Sequence, residues 1–426
     1  MSALPSLPGA PFLHQEDGQL FLEGVRLADL AAQYGTPLFA YSKASILAAL
    51  VAYQKGLAGR KALICYAIKA NSHLAILQIF ARAGCGFDTV SQGEIMRAVK
   101  AGADPQKIVF SGLGKTRAEM RYALELGIHC FNVESTAELE VLNEVALGMG
   151  KKAPISIRVN PNVDAKTHPY ISTGLKANKF GIAHEEALAT YQRAARLPGL
   201  VIKGIDCHIG SQITQVAPYL EAVDKVLDLV VQIEQAGIAI EHLDFGGGLG
   251  IQYADEAPPA ADVLWGEILA RCDARGFGER AFVMEPGRSL VGNAGVCLTE
   301  VLYLKQGEEK NFCIVDAAMN DLPRPTLYEA YHHMLPLQAG SNATAQTYDV
   351  VGPICESGDW LGRERTLAVA AGDVLAVCSA GAYCASMGSN YNTRNRPAEL
   401  LVDGSAVQVI RQREDYAAQM AAEIML

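Results

Sequence analysis

The sequence lacks several features that would by themselves assign a class. None of its ten cysteines stands in a CxxC pair, so neither a zinc ribbon nor a redox dithiol is expected, and no metal site is read. No apolar stretch approaches the ~20 residues that a membrane span needs. Residues 1–18 have neither a basic start nor an apolar run, so no signal peptide is expected. An excess of basic charge is missing too: 36 Lys and Arg face 46 Asp and Glu, a formal net charge of -10. That balance argues against nucleic acid or an anionic membrane as a partner, and leaves room for a local basic pocket. Charged residues make up only 19% of the 426, against 50% hydrophobic, so a sizeable core is available and disorder is not expected. Free thiols in a chain this long point to a reducing, cytoplasmic setting.

What is present is a repeat of short apolar strands and amphipathic helices over residues 43–292. Strands read at Ala62–Ile68, Gly86–Val90, Lys107–Ser111, Cys130–Val133, Ile155–Val159, Val201–His208, His242–Phe245 and Ala281–Glu285. Helices fall between them, and that from Tyr219 to Ala236 sets Leu220, Val223, Leu227 and Val230 on one face. Three turns carry a helix-capping pattern: Ser91 with Glu94, Thr116 with Glu119, and Ser135 with Glu138. Eight such units over about 250 residues predict a (β/α)8 TIM barrel. An open doubly wound sheet is the competing architecture, but it would more usually place a glycine-rich turn after its first strand. Here that strand ends in Lys69-Ala70-Asn71. Residues 293–426 are β-rich and, with short strands in residues 1–42, predict a second domain of β-sandwich or β-barrel-like form.

A barrel gathers its chemistry at the C-terminal ends of its strands. Those ends carry Lys69, Asp88, Glu134, Arg158, Asn160, His208, Ser211, Gly246-Gly247-Gly248 and Glu285-Pro286-Gly287-Arg288. Polar residues are common at strand ends, so the set carries the argument rather than any member. Pyridoxal phosphate (PLP) has needs that this set matches. Its aldehyde requires an amine, and a lysine at a buried strand end is a candidate for an imine. Its phosphate requires close backbone N–H groups, which Gly246–Gly248 offers with help from Ser211. Its pyridine nitrogen requires a carboxylate, for which Glu285 is the candidate, and its ring a flat partner, for which His208 is.

Five motifs together carry a resemblance: Tyr66-Ala-Ile-Lys-Ala-Asn71, His208-Ile-Gly-Ser-Gln212, Gly246-Gly-Gly-Leu249, Glu285-Pro-Gly-Arg288 and Gly352-Pro-Ile-Cys-Glu-Ser357. In matching order over nearly the whole chain, they resemble the alanine-racemase-like, fold type III PLP decarboxylases, and within them the diaminopimelate enzymes. The resemblance implies that Lys69 carries PLP, that Glu285 pairs with its pyridine nitrogen and that His208 covers its ring. It also implies phosphate and cofactor contacts from Gly247, Gly248, Pro286, Gly287, Arg288 and Tyr383, with Asp88 and Ser211 nearby. Cys355 is implied as the proton donor, reaching the site from a partner subunit, and hence a homodimer with shared active sites. One departure stands in the motif region: many relatives have histidine where this chain has Asp206.

The far end of the substrate is read from charge. Meso-2,6-diaminopimelate carries a distal carboxylate and a distal amine. Arg288 and Arg324 are candidate cations for the carboxylate, Tyr328 a hydroxyl donor and Glu356 the anion for the amine. Thr167-His-Pro-Tyr-Ile-Ser-Thr-Gly174 also resembles the diaminopimelate enzymes. The expected reaction is therefore PLP-dependent decarboxylation of diaminopimelate to lysine. The alternatives are a decarboxylase of another basic amino acid, of the ornithine, arginine or carboxynorspermidine type, or a PLP-binding regulator without turnover.

Overall fold

The computed structural model describes residues 7–165, 167–168, 173–174, 178–338 and 343–426. They form two compact units. One comprises Leu50–Gly250 with Pro258–Ser289. The other comprises Met1–Ala49, Ile251–Ala257 and Leu290–Leu426.

The first unit is a closed barrel. Its strands are β1 (Ala62–Ala67), β2 (Gly86–Thr89), β3 (Ile108–Phe110), β4 (Cys130–Val133), β5 (Ala153–Asn160), β6 (Leu200–Asp206), β7 (His242–Asp244) and β8 (Ala281–Met284). Each runs parallel to the next, and β8 returns to β1 through the Phe282–Ala62 register. The ring closes, which excludes an open doubly wound sheet. Every residue of β2, β3, β4 and β7 is buried, as expected of strands covered on both faces. Helices Leu74–Arg82, Gln92–Lys100, Arg117–Leu126, Thr136–Gly148, His184–Ala194, Ala217–Gln235 and Ala261–Ala274 connect them.

The caps depart from the expected pattern in one respect. Ser91, Thr116 and Ser135 all accept from the N–H three residues on. The glutamate returns the bond to the cap residue only at Thr116. Glu94 and Glu138 reach one residue further, accepting from the N–H of Val90 and Glu134 at 2.7 and 2.9 Å. They thereby fix the ends of β2 and β4 as well as starting a helix.

Packing inside the barrel leaves no room for a side chain at Gly204 of β6. A Cβ there would lie 2.2 Å from His242 Nε2. The imidazole of His242 lies over this bare backbone and meets Ser156 Oγ of β5 at 2.8 Å. Burial pushes its pKa down to about 3.

The second unit is strand-rich. Its main sheet runs, in order, Trp360–Leu367, Gln346–Val351, Asn311–Val315, Gly295–Lys305, Leu38–Ser42, Ala398–Asp403 and Ala406–Arg411. Strand Val374–Val377 pairs with Gly295–Lys305 and with Met334–Pro336. Leu38, Ala40, Val296, Leu298, Ala376, Leu400 and Val402 share one core. Among the described residues no helix is long and apolar enough to cross a membrane.

Candidate active site

In the barrel, β1 ends at Ala67 and a single 3-10 turn, Ile68–Ala70, carries Lys69. The lysine is less enclosed than its apolar surroundings predict. Its side chain is 39% exposed, and Nζ lies 2.6 Å from Oδ2 of the fully buried Asp88 on β2. Its charge is met by a carboxylate rather than suppressed by burial.

On the neighbouring strand end stands Glu285, just past β8. Its Oε1 accepts from Asn132 Nδ2 at 3.0 Å and from Ser111 Oγ at 3.4 Å. Two further acids lie beside it. Register sets Asp206 on β6 level with Asp244 on β7 and with Arg158 on β5. One carboxylate oxygen each from Asp206, Asp244 and Glu285 lies within 4.8 Å of the others, and all three are buried. Arg158 is the basic group nearest to them on β5, with Nε 4.0 Å from Asp206 and Nη1 3.0 Å from Glu134. So many acids in a dry place cannot all ionise. Burial, reinforced by Asp244, Asp88 and Asp206, pushes Glu285 well above the carboxylate range. Asp244 is raised by burial and by Asp206, and Asp206 by burial against the pull of Arg158.

His208 follows β6. Its Nδ1 accepts from the Gly247 N–H at 3.2 Å, so this nitrogen carries the lone pair. Desolvation, with Arg158 and Lys69 adding to it, pushes the ring well below its ordinary pKa, and it is neutral at pH 7. The glycine run is a bare strip of backbone. A Cβ on Gly247 would lie 2.1 Å from the Glu285 carbonyl, and one on Gly248, where φ is +105°, would lie 2.4 Å from the Gly210 carbonyl. Arg288 is buried and donates to Ser211 Oγ from Nε at 3.3 Å and Nη2 at 3.0 Å. Pro286 accepts from the Ala67 N–H at 3.0 Å, tying the loop after β8 to the end of β1. A Cβ on Gly287 would lie 3.0 Å from the Ala70 Cβ.

These features fit pyridoxal phosphate. An amine stands at one rim position, and at another a half-buried strip of glycine backbone that carries no side chains. Asp88 Oδ1, Asp206 Oδ1 and Asp244 Oδ2 are buried without a hydrogen-bond partner. An acid cluster of this kind is matched by a cationic N–H such as a protonated pyridine nitrogen.

The remaining candidates belong to the second unit. Arg324 opens the short helix Arg324–Tyr328 and is buried. Its guanidinium carbon lies 4.4 Å from the Tyr253 ring centroid, and among the described residues no carboxylate pairs with it. Tyr328 ends that helix half-buried. Cys355 is exposed whereas the other nine cysteines are buried, and its N–H donates to Asn392 Oδ1 at 3.0 Å. Glu356 Oε1 accepts from the Tyr391 hydroxyl at 2.5 Å. Tyr383 is half-buried with φ +57°. Residues 169–172 of the segment Thr167 to Gly174 lie outside the described residues. Reading the sequence alone missed Ser111, Asn132 and Asp244, which act on Glu285. The signal for Asn132 and Asp244 was present, since each is a polar residue within an otherwise apolar strand, but their common target depends on strand register.

A parallel barrel whose rim combines this lysine, buried acid cluster and glycine strip defines a pyridoxal-phosphate enzyme. Residues 43–292 match the family described as "Pyridoxal-dependent decarboxylase, pyridoxal binding domain". The chain is 55% identical over 410 residues to diaminopimelate decarboxylase of Pseudomonas aeruginosa, covering 96% of this chain and 98% of that one. It is similar to the crystal structure of diaminopimelate decarboxylase from Helicobacter pylori complexed with L-lysine, at 41% identity and TM-score 0.89, covering 93% and 99%. It is also similar to that from M. jannaschii in complex with L-lysine, at 39% identity and TM-score 0.93, covering 98% and 99%. The chain belongs to the diaminopimelate decarboxylase family of pyridoxal-dependent decarboxylases.

Proposed function

We propose that this chain converts meso-2,6-diaminopimelate to L-lysine and carbon dioxide, the last step of lysine biosynthesis. The observation that carries the reading is Arg324: a buried guanidinium with no carboxylate partner among the described residues, in a family whose named relatives decarboxylate an amino acid with a second carboxylate. Ornithine, arginine or lysine as substrate would leave that charge unmatched, and a buried unpaired charge is costly.

Pyridoxal phosphate, when bound, supplies the aldehyde that captures the substrate amine and the ring that accepts the electron pair released with carbon dioxide. Lys69 provides the amine that holds it, aimed by Asp88. Gly247, Gly248, Gly287 and Ser211, with Tyr383, form the phosphate contacts. Glu285, anchored by Asn132 and Ser111, would pair with the ring nitrogen and favour its protonated form. His208, neutral and pinned by Gly247, covers the ring face without adding charge. Arg324, Arg288 and Tyr328 take the distal carboxylate, and Glu356 the distal amine. The α C–C bond breaks, carbon dioxide leaves, and Cys355 gives its thiol proton to the α carbon, regaining one from water.

Cys355 acts in this reading at the site of a second copy, within a two-fold homodimer. Its exposure suits a residue presented to another chain, and Val90, Met96 and Leu113, exposed at 40, 52 and 44% in the loops and helix after β2 and β3, supply apolar surface for such contact. Ten free thiols support a cytoplasmic setting. The deciding experiment is a carbon dioxide release assay on meso-diaminopimelate, ornithine, arginine and lysine. Release from diaminopimelate alone is expected, and equal or greater release from ornithine would overturn the reading. Borohydride reduction and peptide mapping should find the cofactor on Lys69.

A further inference from the structure

Arg324 is held by a neutral partner. Its Nη1 lies 2.8 Å from His332 Nε2, and His332 Nδ1 lies 2.8 Å from the Cys378 carbonyl. A guanidinium only donates. Nε2 must therefore accept, and the ring hydrogen stands on Nδ1, where the Cys378 carbonyl receives it. The ring is fully buried. The backbone that receives Nδ1 is itself paired beside the ring, because the Cys378 N–H donates to the His333 carbonyl at 2.8 Å, just before Met334 pairs with Val377. Tyr253 completes the frame, edge-on to His332 at 5.1 Å between centroids and beneath the guanidinium of Arg324. Arg324 Nε is buried with no hydrogen-bond partner.

We propose that His332 is a positioning residue for substrate selection: it orients Arg324 without neutralising it, so that the guanidinium keeps its full charge and its remaining N–H groups for the distal carboxylate. A carboxylate at position 332 would also hold the arginine, but it would occupy the charge that the substrate needs. A protonated imidazole would repel it. Neutral histidine, locked in one tautomer by a backbone carbonyl, does neither. This inference rests on the reading of Arg324 as the site of the distal carboxylate.

The test compares His332→Leu, His332→Gln and His332→Glu in the cofactor-loaded enzyme. Gln can place an amide oxygen where Nε2 stands, so it keeps the acceptor. His332→Leu should raise the KM for meso-diaminopimelate about 10- to 100-fold, the worth of a hydrogen bond to a charged group. Its kcat and the cofactor absorbance should stay within about threefold, while the inhibition constant of L-lysine, which keeps the distal carboxylate after the reacting one has left, should rise with the KM. Gln should recover most of the loss, whereas Glu should not. An unchanged KM in the Leu variant, an unchanged inhibition constant of L-lysine, or no rescue by Gln would overturn the proposal. A second readout does not depend on turnover. Nitrogen-15 spectra of histidine-labelled enzyme should show His332 with hydrogen on Nδ1 only, and Arg324→Leu should keep that hydrogen while freeing Nε2 to take up a second proton at a higher pH than in the unaltered enzyme. A doubly protonated ring or hydrogen on Nε2 in the unaltered enzyme would overturn the proposal even if diaminopimelate were not the substrate. A wild-type enzyme inactive on diaminopimelate but with the Nδ1 tautomer would instead overturn the proposed function.

Discussion

At the scale of single residues, the barrel rim is dominated by acids that hold on to protons. Asp206, Asp244 and Glu285 all have pKa values raised by burial above those of the unfolded chain. Between about pH 4, where free carboxyls titrate, and the raised values, the folded state binds more protons than the unfolded one. Stability is therefore fully present below that window and is lost as pH rises through it. Thermal unfolding of the cofactor-free chain should show Tm falling from about pH 5 to pH 8, and Asp206→Asn should flatten the fall, each unit of pKa shift being worth about 1.4 kcal/mol. A parallel decline in the variant would show that Asp206 is not part of the proton-holding set. Cys355 gives a second prediction: Cys355→Ala should keep the cofactor absorbance and lose about 10²- to 10⁴-fold in kcat, as expected for a lost general acid. Lys69, His208 and Glu285 were legible in the sequence because each sits at the end of an apolar run. The role of His332 was not, because its meaning lies in two hydrogen bonds to residues distant in sequence.

Among the secondary-structure elements, the eight barrel strands were readable to within a few residues, since burial on both faces makes them continuous apolar runs. The second unit was harder. Trp360–Leu367 was not foreseen as a strand: its register slips against Gln346–Val351, Glu364 has φ +54°, and Arg363 and Glu364 are exposed, so apolar alternation is broken. Ala398–Asp403 was missed as well, although its first five residues are buried, because Glu399 interrupts the run. That carboxylate is satisfied there by Tyr41 and Arg411. Two predictions belong to elements. Thr116→Ala removes the reciprocal cap of helix Arg117–Leu126 and should cost about 1 kcal/mol in denaturant unfolding. Gly204→Ala forces a methyl into the His242 ring and should cost about 1–3 kcal/mol or more. Adding His242→Ala should return part of that loss, and strict additivity of the two would show that they do not clash.

For the whole molecule, the proposal of shared sites in a homodimer makes a quantitative prediction. Lys69→Ala and Cys355→Ala homodimers should each be inactive. Unfolding and reassembling an equal mixture should restore about one quarter of wild-type activity, because half the dimers are mixed and each has one intact site. No recovery despite demonstrated mixing would place both residues on one chain. The connectivity of the strand-rich unit has its own outcome. Leu38–Ser42, buried along its whole length, lies between Gly295–Leu298 on one side and Ala398–Val402 on the other. On the ribosome, this early segment emerges with both edges bare and waits for partners translated long after the barrel sequence has appeared. Nascent chains arrested before Ala398 should remain open to protease at Leu38–Ser42, while chains extended past Asp403 become resistant there. A chaperone that shields extended apolar segments thus has a defined client window in this protein, opened by its first strands and shut by its last.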